Sequence, residues 1–195
     1  AYDPGGGDSE EAVANRRIAR KRLSSRLRPI LLRRVKKQVA KDLPDRIEQR
    51  HDCELGADQR KLYLAELRRS RDTVMETIQT KGVAKSRMQV LAALTRLRQI
   101  CCHPSLVGSD AASGKTEALF DLLEPLVAQG EKVLVFSQFV QMLKILEKDC
   151  GTREIPTHML TGDTKDRQGV VNAFQETEDA CVFLLSLRAA GTGLN

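Results

Sequence analysis

The segment 132–187, "KVLVFSQFVQMLKILEKDCGTREIPTHMLTGDTKDRQGVVNAFQETEDACVFLLSL", alternates two grammars. Short apolar runs at "KVLVFS" (132–137), "THMLTG" (157–162) and "ACVFLLSL" (180–187) have strand length and strand composition. Between them, "QFVQMLKILEKDCG" (138–151) and "DRQGVVNAFQ" (166–175) repeat apolar residues at helical spacing. Strictly alternating elements of these lengths predict an α/β fold, a parallel sheet flanked by helices. In such sheets ligands gather at the carboxyl ends of the strands. The residues to watch are therefore Ser137 and Gln138, the turn Thr161-Gly162-Asp163-Thr164, and the run from Ser186 to Asn195.

Just upstream, "GSDAASGKTEALFDLL" (108–123) raises the question of a phosphate-binding loop. That loop reads Gly, four residues, Gly-Lys-Ser/Thr, so that backbone N–H groups and the lysine close around phosphate at a helix start. Gly114, Lys115 and Thr116 are present, but five residues separate Gly114 from Gly108, and no apolar strand feeds the loop. The bland reading makes Ser113 the cap of a helix that ends at Gly130 and Lys115 a surface cation. The sharp reading is a small P-loop ATPase or kinase using Gly114-Lys115-Thr116.

The first half of the chain has a different character. Residues 10–27 are helical in composition, and Pro29 closes that helix. Ile30, Leu31 and Leu32 read as a short buried strand, Val35 and Val39 as one side of a short helix ended by Pro44, and "IEQRHDCEL" (47–55) as an imperfect strand. Asp58 is placed to cap a long helix with apolar positions at Leu62, Leu67, Val74 and Ile78, stopped by Gly82. A second helix from Ser86 carries Val90, Leu94, Leu97 and Cys101 on one side, completing a helical hairpin. The domain expectation is a basic segment at 1–55, a helical pair at 56–108 and an α/β part at 109–195.

Charge follows the same division. Of the net +6, residues 1–108 carry +11 and residues 109–195 carry −5, and from Arg16 to Arg50 fourteen basic residues meet three acids. Such a block is either an electrostatic footprint for nucleic acid or a solvated helix face, and composition leaves both open. Five cysteines without a Cys-x-x-Cys pair argue against a disulfide framework and a zinc site; "CCHP" (101–104) reads as core packing. With 41% hydrophobic residues, no signal peptide pattern and no run long enough to span a bilayer, the expectation is an intracellular chain without membrane partners. It opens without methionine and stops just after a strand-like run, which reads as a segment excised from a longer polypeptide.

Seven stretches in order carry a resemblance: "ILLRRVKKQVAKDLPDR" (30–46), "QRKLY" (59–63), "LRQICCHP" (97–104), "SGKTEALFDLL" (113–123), "KVLVFSQF" (132–139), "LTGDTKDRQGVVNAFQ" (160–175) and "VFLLSLRAAGTGLN" (182–195). Together they resemble the Swi/Snf-related ATPases of helicase superfamily two, which use two RecA-like lobes to move on duplex DNA. The resemblance implies the exit of lobe one, a helical insertion, and the first part of lobe two. It places the true phosphate loop in lobe one and makes "SGKT" the entry to the first helix of lobe two.

It further implies ATP and Mg2+ as cofactors of the intact protein, none bound by this segment alone, and no complete catalytic set here. Duplex DNA is the implied partner, held through phosphates by Ser137, Gln138, Thr161, Thr164, Ser186, Arg188 and Thr192, with Arg33 and Arg34 as further contacts. Gly191 and Gly193 would couple that grip to the nucleotide cleft; Ala190 stands where the family more often has glycine. The remodelled target stays open among a nucleosome, a polymerase, another DNA-bound complex and bare DNA, and the compartment between bacterial cytoplasm and nucleus. The competing class is a non-enzymatic nucleic-acid-binding module built on the basic block.

Overall fold

The computed structural model describes residues 10–31, 39 and 47–191. They fall into two units, Ala1–Arg50 and His51–Asn195.

In the first unit, α1 (Glu10–Leu27) is followed by a turn at 28–30. Arg16, Arg17, Arg20, Lys21, Arg22 and Arg26 all lie on it, so charge surrounds most of the helix and its few apolar residues, Val13, Ile18 and Leu23, are half exposed. The expected buried strand at 30–32 does not form where it is described. Ile30 is 80% and Leu31 62% exposed, and the N–H groups of both turn back to the Leu27 carbonyl instead of extending as a strand. Val39 is likewise exposed; Leu32, Arg33, Arg34, Val35 and Pro44 lie outside the described residues.

Residues 47–56 run without a β-ladder, against the strand expected at 47–55. Two helices follow, α2 (Ala57–Lys81) and α3 (Val83–Cys102), packed on each other as the hairpin expected. Gly82 ends α2 with φ 79°, a backbone region that glycine enters without a Cβ penalty. Gly56, not Asp58, is the N-cap; Asp58 sits in the first turn and pairs with Lys61 at 2.9 Å.

The hairpin buries polar groups beside its apolar ones. Gln59, Thr77 and Ser86 are buried, while Glu66 accepts from Arg96 Nε at 3.1 Å and from Ser70 Oγ at 3.2 Å. Leu97 and Ile100 are buried, but Val90 and Leu94, expected on the same inward side, are exposed. Leu62, Val74, Ile78 and Cys101 are half-buried as expected, so the departure is confined to Val90 and Leu94, with Leu67 on α2.

A short 3-10 turn (Pro104–Val107) leads to α4 (Gly114–Ala128), β1 (Val133–Ser137), α5 (Val140–Thr152), β2 (Thr157–Leu160), α6 (Arg167–Glu176), β3 (Val182–Ser186) and the single turn α7 (Leu187–Ala190). The sheet is fully parallel in the order β1-β3-β2. In this α/β part the expected strands and helices are all present, with Ser113 capping α4 and Gly130, at φ 86°, beyond its end.

Burial explains why β3 is central. Val182 and Leu184 point into a core shared with Phe120 and Leu123 of α4 and Leu143 and Leu146 of α5. Phe183 and Leu185 point the other way, against Leu160, Val171 of α6 and Ala189 of α7. Both faces of β3 are therefore buried, which is why its sequence is continuously apolar. On β1, Val133 and Val135 join the first core, whereas Leu134 and Phe136 on the opposite face are half exposed.

Lys132, just before β1, ties the far end of α6 to the sheet. Its Nζ donates to the carbonyls of Phe174 and Gln175, both at 3.1 Å, and lies 5.4 Å from the centroid of the Phe174 ring. A cation on the last carbonyls of a helix satisfies orphan acceptors and opposes the helix dipole. Because Lys132 is exposed, water competes for the same carbonyls. Lys132→Ala should cost about 1 kcal/mol in urea unfolding; a change below about 0.3 kcal/mol would show that water replaces the amine fully.

Candidate nucleic-acid interface

The register of the sheet sets the carboxyl edge. Ser137 is the partner of Ser186, and Leu160 is the partner of Leu185, so Thr161, one step past Leu160, comes level with Ser186. Three of the expected positions thus share one rim, although they lie far apart in the chain.

Each hydroxyl on that rim also shapes its own loop. Ser137 Oγ accepts from Phe139 N at 3.1 Å and donates to Phe139 O at 3.2 Å, closing the turn before α5. Thr164 Oγ1 accepts from Thr161 N at 3.0 Å, and Ser186 Oγ accepts from Ala189 N at 3.3 Å as the cap of α7. An acceptor role leaves a hydroxyl proton to give; Thr164 and Ser186 therefore remain donors, while Ser137 is spent in both directions. Thr161 and Ser186 are buried and the Thr161 N–H is spent on Thr164, so Thr164, half-buried, is the rim hydroxyl that solvent reaches with its proton to give. Gln138, Arg188 and Gly191 are exposed. Thr192, Gly193, Arg33 and Arg34 lie outside the described residues.

Gln138 has a partner that the sequence did not suggest. Its Oε1 accepts from Arg98 Nη2, on α3, at 2.6 Å. The two residues are forty apart, and no spacing rule links them.

The "SGKT" region is a junction rather than a phosphate loop. Ser113 Oγ accepts from Thr116 N at 3.3 Å and donates to the Cys102 carbonyl at 2.9 Å. Gln59, only 1% exposed, accepts from Gly114 N at 3.1 Å and donates to the Ile100 carbonyl at 2.8 Å. The first amides of α4 and the last carbonyls of α3 are the groups that helix ends leave unmade. Here two side chains bridge them. Amides that a P-loop would turn toward a nucleotide are already bonded inside the protein, so Gly114-Lys115-Thr116 does not fit a phosphate cradle.

Around the junction, His103 Nδ1 accepts from Ser105 N at 3.1 Å, capping the 3-10 turn. Burial holds this imidazole below its usual range, against the opposing pull of Asp149, which suits a neutral acceptor. All five cysteines are free thiols. Burial, reinforced by Asp149 and opposed by Arg153, raises Cys150 to about 11, and burial raises Cys101 despite the nearby Lys115. "CCHP" is thus a capping and packing element. Among the described residues no group of three or more His, Cys, Asp or Glu is placed to hold a metal ion. No described helix is long and apolar enough to cross a membrane.

A parallel sheet with helices on both sides and its central strand buried on both faces is the plan of a RecA-like lobe, here joined to a helical hairpin. Two family models match the sequence: the SNF2-related domain over residues 8–106 and the helicase conserved C-terminal domain over 114–195. The chain belongs to the SNF2-related family. It is 36% identical over 194 residues to nuclear protein STH1/NPS1 of Saccharomyces cerevisiae, covering 90% of this chain and 14% of that protein. It is 35% identical over 188 residues to the putative ATP-dependent helicase/translocase YwqA of Bacillus subtilis, covering 89% of this chain and 20% of that one. The fold matches the Sulfolobus solfataricus SWI2/SNF2 ATPase core solved in complex with dsDNA, at TM-score 0.65 and 29% identity over 87% of this chain and 37% of that chain. The segment therefore spans a fifth or less of these two curated relatives.

Proposed function

We propose that this chain is the DNA-gripping part of an ATP-driven motor that moves along duplex DNA. The observation that carries the reading is the carboxyl rim on which Ser137, Thr161 and Ser186 come level, with the exposed Gln138 and Arg188 and the half-buried Thr164 beside it as the accessible donors. A hydroxyl, an amide and one guanidinium suit phosphodiester oxygens and carry no base-reading pattern. DNA would be held by its backbone, without sequence preference.

In this reading Ser186, Arg188, Gly191, Thr192 and Gly193 couple the grip to a nucleotide cleft completed elsewhere in the intact protein, where ATP with Mg2+ supplies the phosphoryl-transfer chemistry. No phosphate-binding step is assigned to the junction at Gly114. Arg33 and Arg34 are proposed as additional backbone contacts. The DNA-bound target, whether a nucleosome, a polymerase or bare duplex, is chosen by other parts of the protein, and the proposed setting is intracellular.

The test is ATP hydrolysis by the full-length protein with and without duplex DNA, beside the 195-residue chain alone. Stimulation by duplex in the first and silence in the second is the expected result. Arg188→Ala should raise the DNA concentration for half-maximal stimulation by about tenfold, the equivalent of ~1.4 kcal/mol; an unchanged value would remove Arg188 from the grip. The basic helix α1 favours a second reading, a binding module without hydrolysis. A full-length protein that binds DNA yet never hydrolyses ATP would select it.

A further inference from the structure

The Arg98–Gln138 bond joins the helical hairpin to the loop after β1, and nothing in the fold requires it. Both side chains are exposed, and the packing of α3 is already secured by Leu97, Ile100 and the Gln59 bridge. A free glutamine on a loop samples many rotamers; one whose Oε1 is held by a guanidinium at 2.6 Å does not. With the carbonyl end engaged, the remaining donors of the carboxamide are the two N–H groups of Nε2. These are what a phosphate oxygen needs.

We propose that Arg98 is a positioning residue, which fixes the Gln138 carboxamide so that its N–H groups are presented to the DNA backbone. The inference rests on the phosphate-grip reading above. In the alternative, Arg98 takes a phosphate itself: it lines, with Lys115, Ser137 and Gln138, a cavity of about 430 Å³ between α3, α4, β1 and α5. The short bond to Gln138 favours the indirect role, since the guanidinium already spends a donor there.

The two roles separate by experiment. Affinity of the full-length protein for a mixed-sequence 20-bp duplex is measured by fluorescence anisotropy across salt concentrations for Arg98→Ala, Gln138→Ala, the double variant and Arg98→Lys. A positioning role predicts that each alanine variant weakens binding by about fivefold, the loss expected for one hydrogen bond. It also predicts that the double variant is no weaker than either single one, that the salt slope is unchanged, and that Arg98→Lys recovers part of the loss. A direct phosphate contact predicts instead that Arg98→Ala lowers the slope by about one and adds fully to Gln138→Ala; that result overturns the proposal. If Thr164→Ala and Arg188→Ala weaken binding while Arg98→Ala does not, the positioning role fails and the grip reading survives. If Gln138→Ala, Thr164→Ala and Arg188→Ala all bind as the parent does, both fall.

Discussion

Gly114→Ala is expected to lower the unfolding free energy by about 3 kcal/mol, near the upper end of what overpacking costs. A Cβ built on Gly114 falls inside the van der Waals shell of the Glu54 carbonyl oxygen and lies 3.3 Å from its carbon. Its neighbour is backbone, which cannot swing aside as a flexible side-chain tip does. Relief requires shifting either residues 54–56 or the first turn of α4, and the second course pulls Gly114 N from Gln59. Urea unfolding of the 195-residue chain, with and without ATP, is the measurement. The loss should be the same in both, because the glycine serves packing. A variant as stable as its parent would mean that the close approach to Glu54 is dispensable; a loss seen only with ATP would return the loop to nucleotide binding.

Gln59→Glu should cost as much at neutral pH, and in a pH-dependent way. The carboxylate would still accept from Gly114 N, but its other oxygen would face the Ile100 carbonyl, which offers only lone pairs. Protonation restores the missing donor. The folded state should therefore hold its proton to higher pH than an unfolded glutamic acid, which titrates near ~4.3. Where the folded form binds more protons than the unfolded one, stability falls as pH rises. The variant should be close to its parent at pH about 4, losing stability at up to ~1.4 kcal/mol per pH unit until the folded group ionises. Gln59→Leu is the control: it removes both bonds, costs about 2–4 kcal/mol and carries no added pH dependence. A flat profile for Gln59→Glu would show that the side chain leaves the junction.

These junction residues mark where reading the sequence stopped working. The α/β part was legible because its signals are local: β3 is apolar on both faces, so "VFLLS" is a continuous run, and Ser113 and Gly130 punctuate α4 in the ordinary way. In the hairpin the same rules find Leu97 and half-buried Leu62, Val74 and Ile78, but miss Val90 and Leu94, which are exposed, and the polar ties across the pair, Glu66 to Arg96 and Gln59 to the Ile100 carbonyl. Apolarity alone makes Ile30 and Leu31 look buried, yet both lie exposed in the turn that closes α1. For the rim, the rule that parallel sheets bind at their carboxyl ends pointed to Ser137, Thr161 and Ser186 as neighbours. Arg98 and Gln59 escaped notice because their partners lie forty or more residues away, and a hydrogen bond between distant side chains leaves no periodic trace.

The strand order also sets a timetable for synthesis. Because β3 lies between β1 and β2, neither of those strands has a neighbour to pair with until Val182–Ser186 has left the ribosome. The α2–α3 hairpin is built from nearby contacts and can form early, whereas loops closed over such long stretches form late. Throughout that interval Val133, Val135 and the apolar side of α5 have no sheet to cover. The nascent chain thus presents a sticky, half-made layer for as long as translation takes to cross from residue 137 to residue 186, the period in which a holding chaperone would be most useful to it.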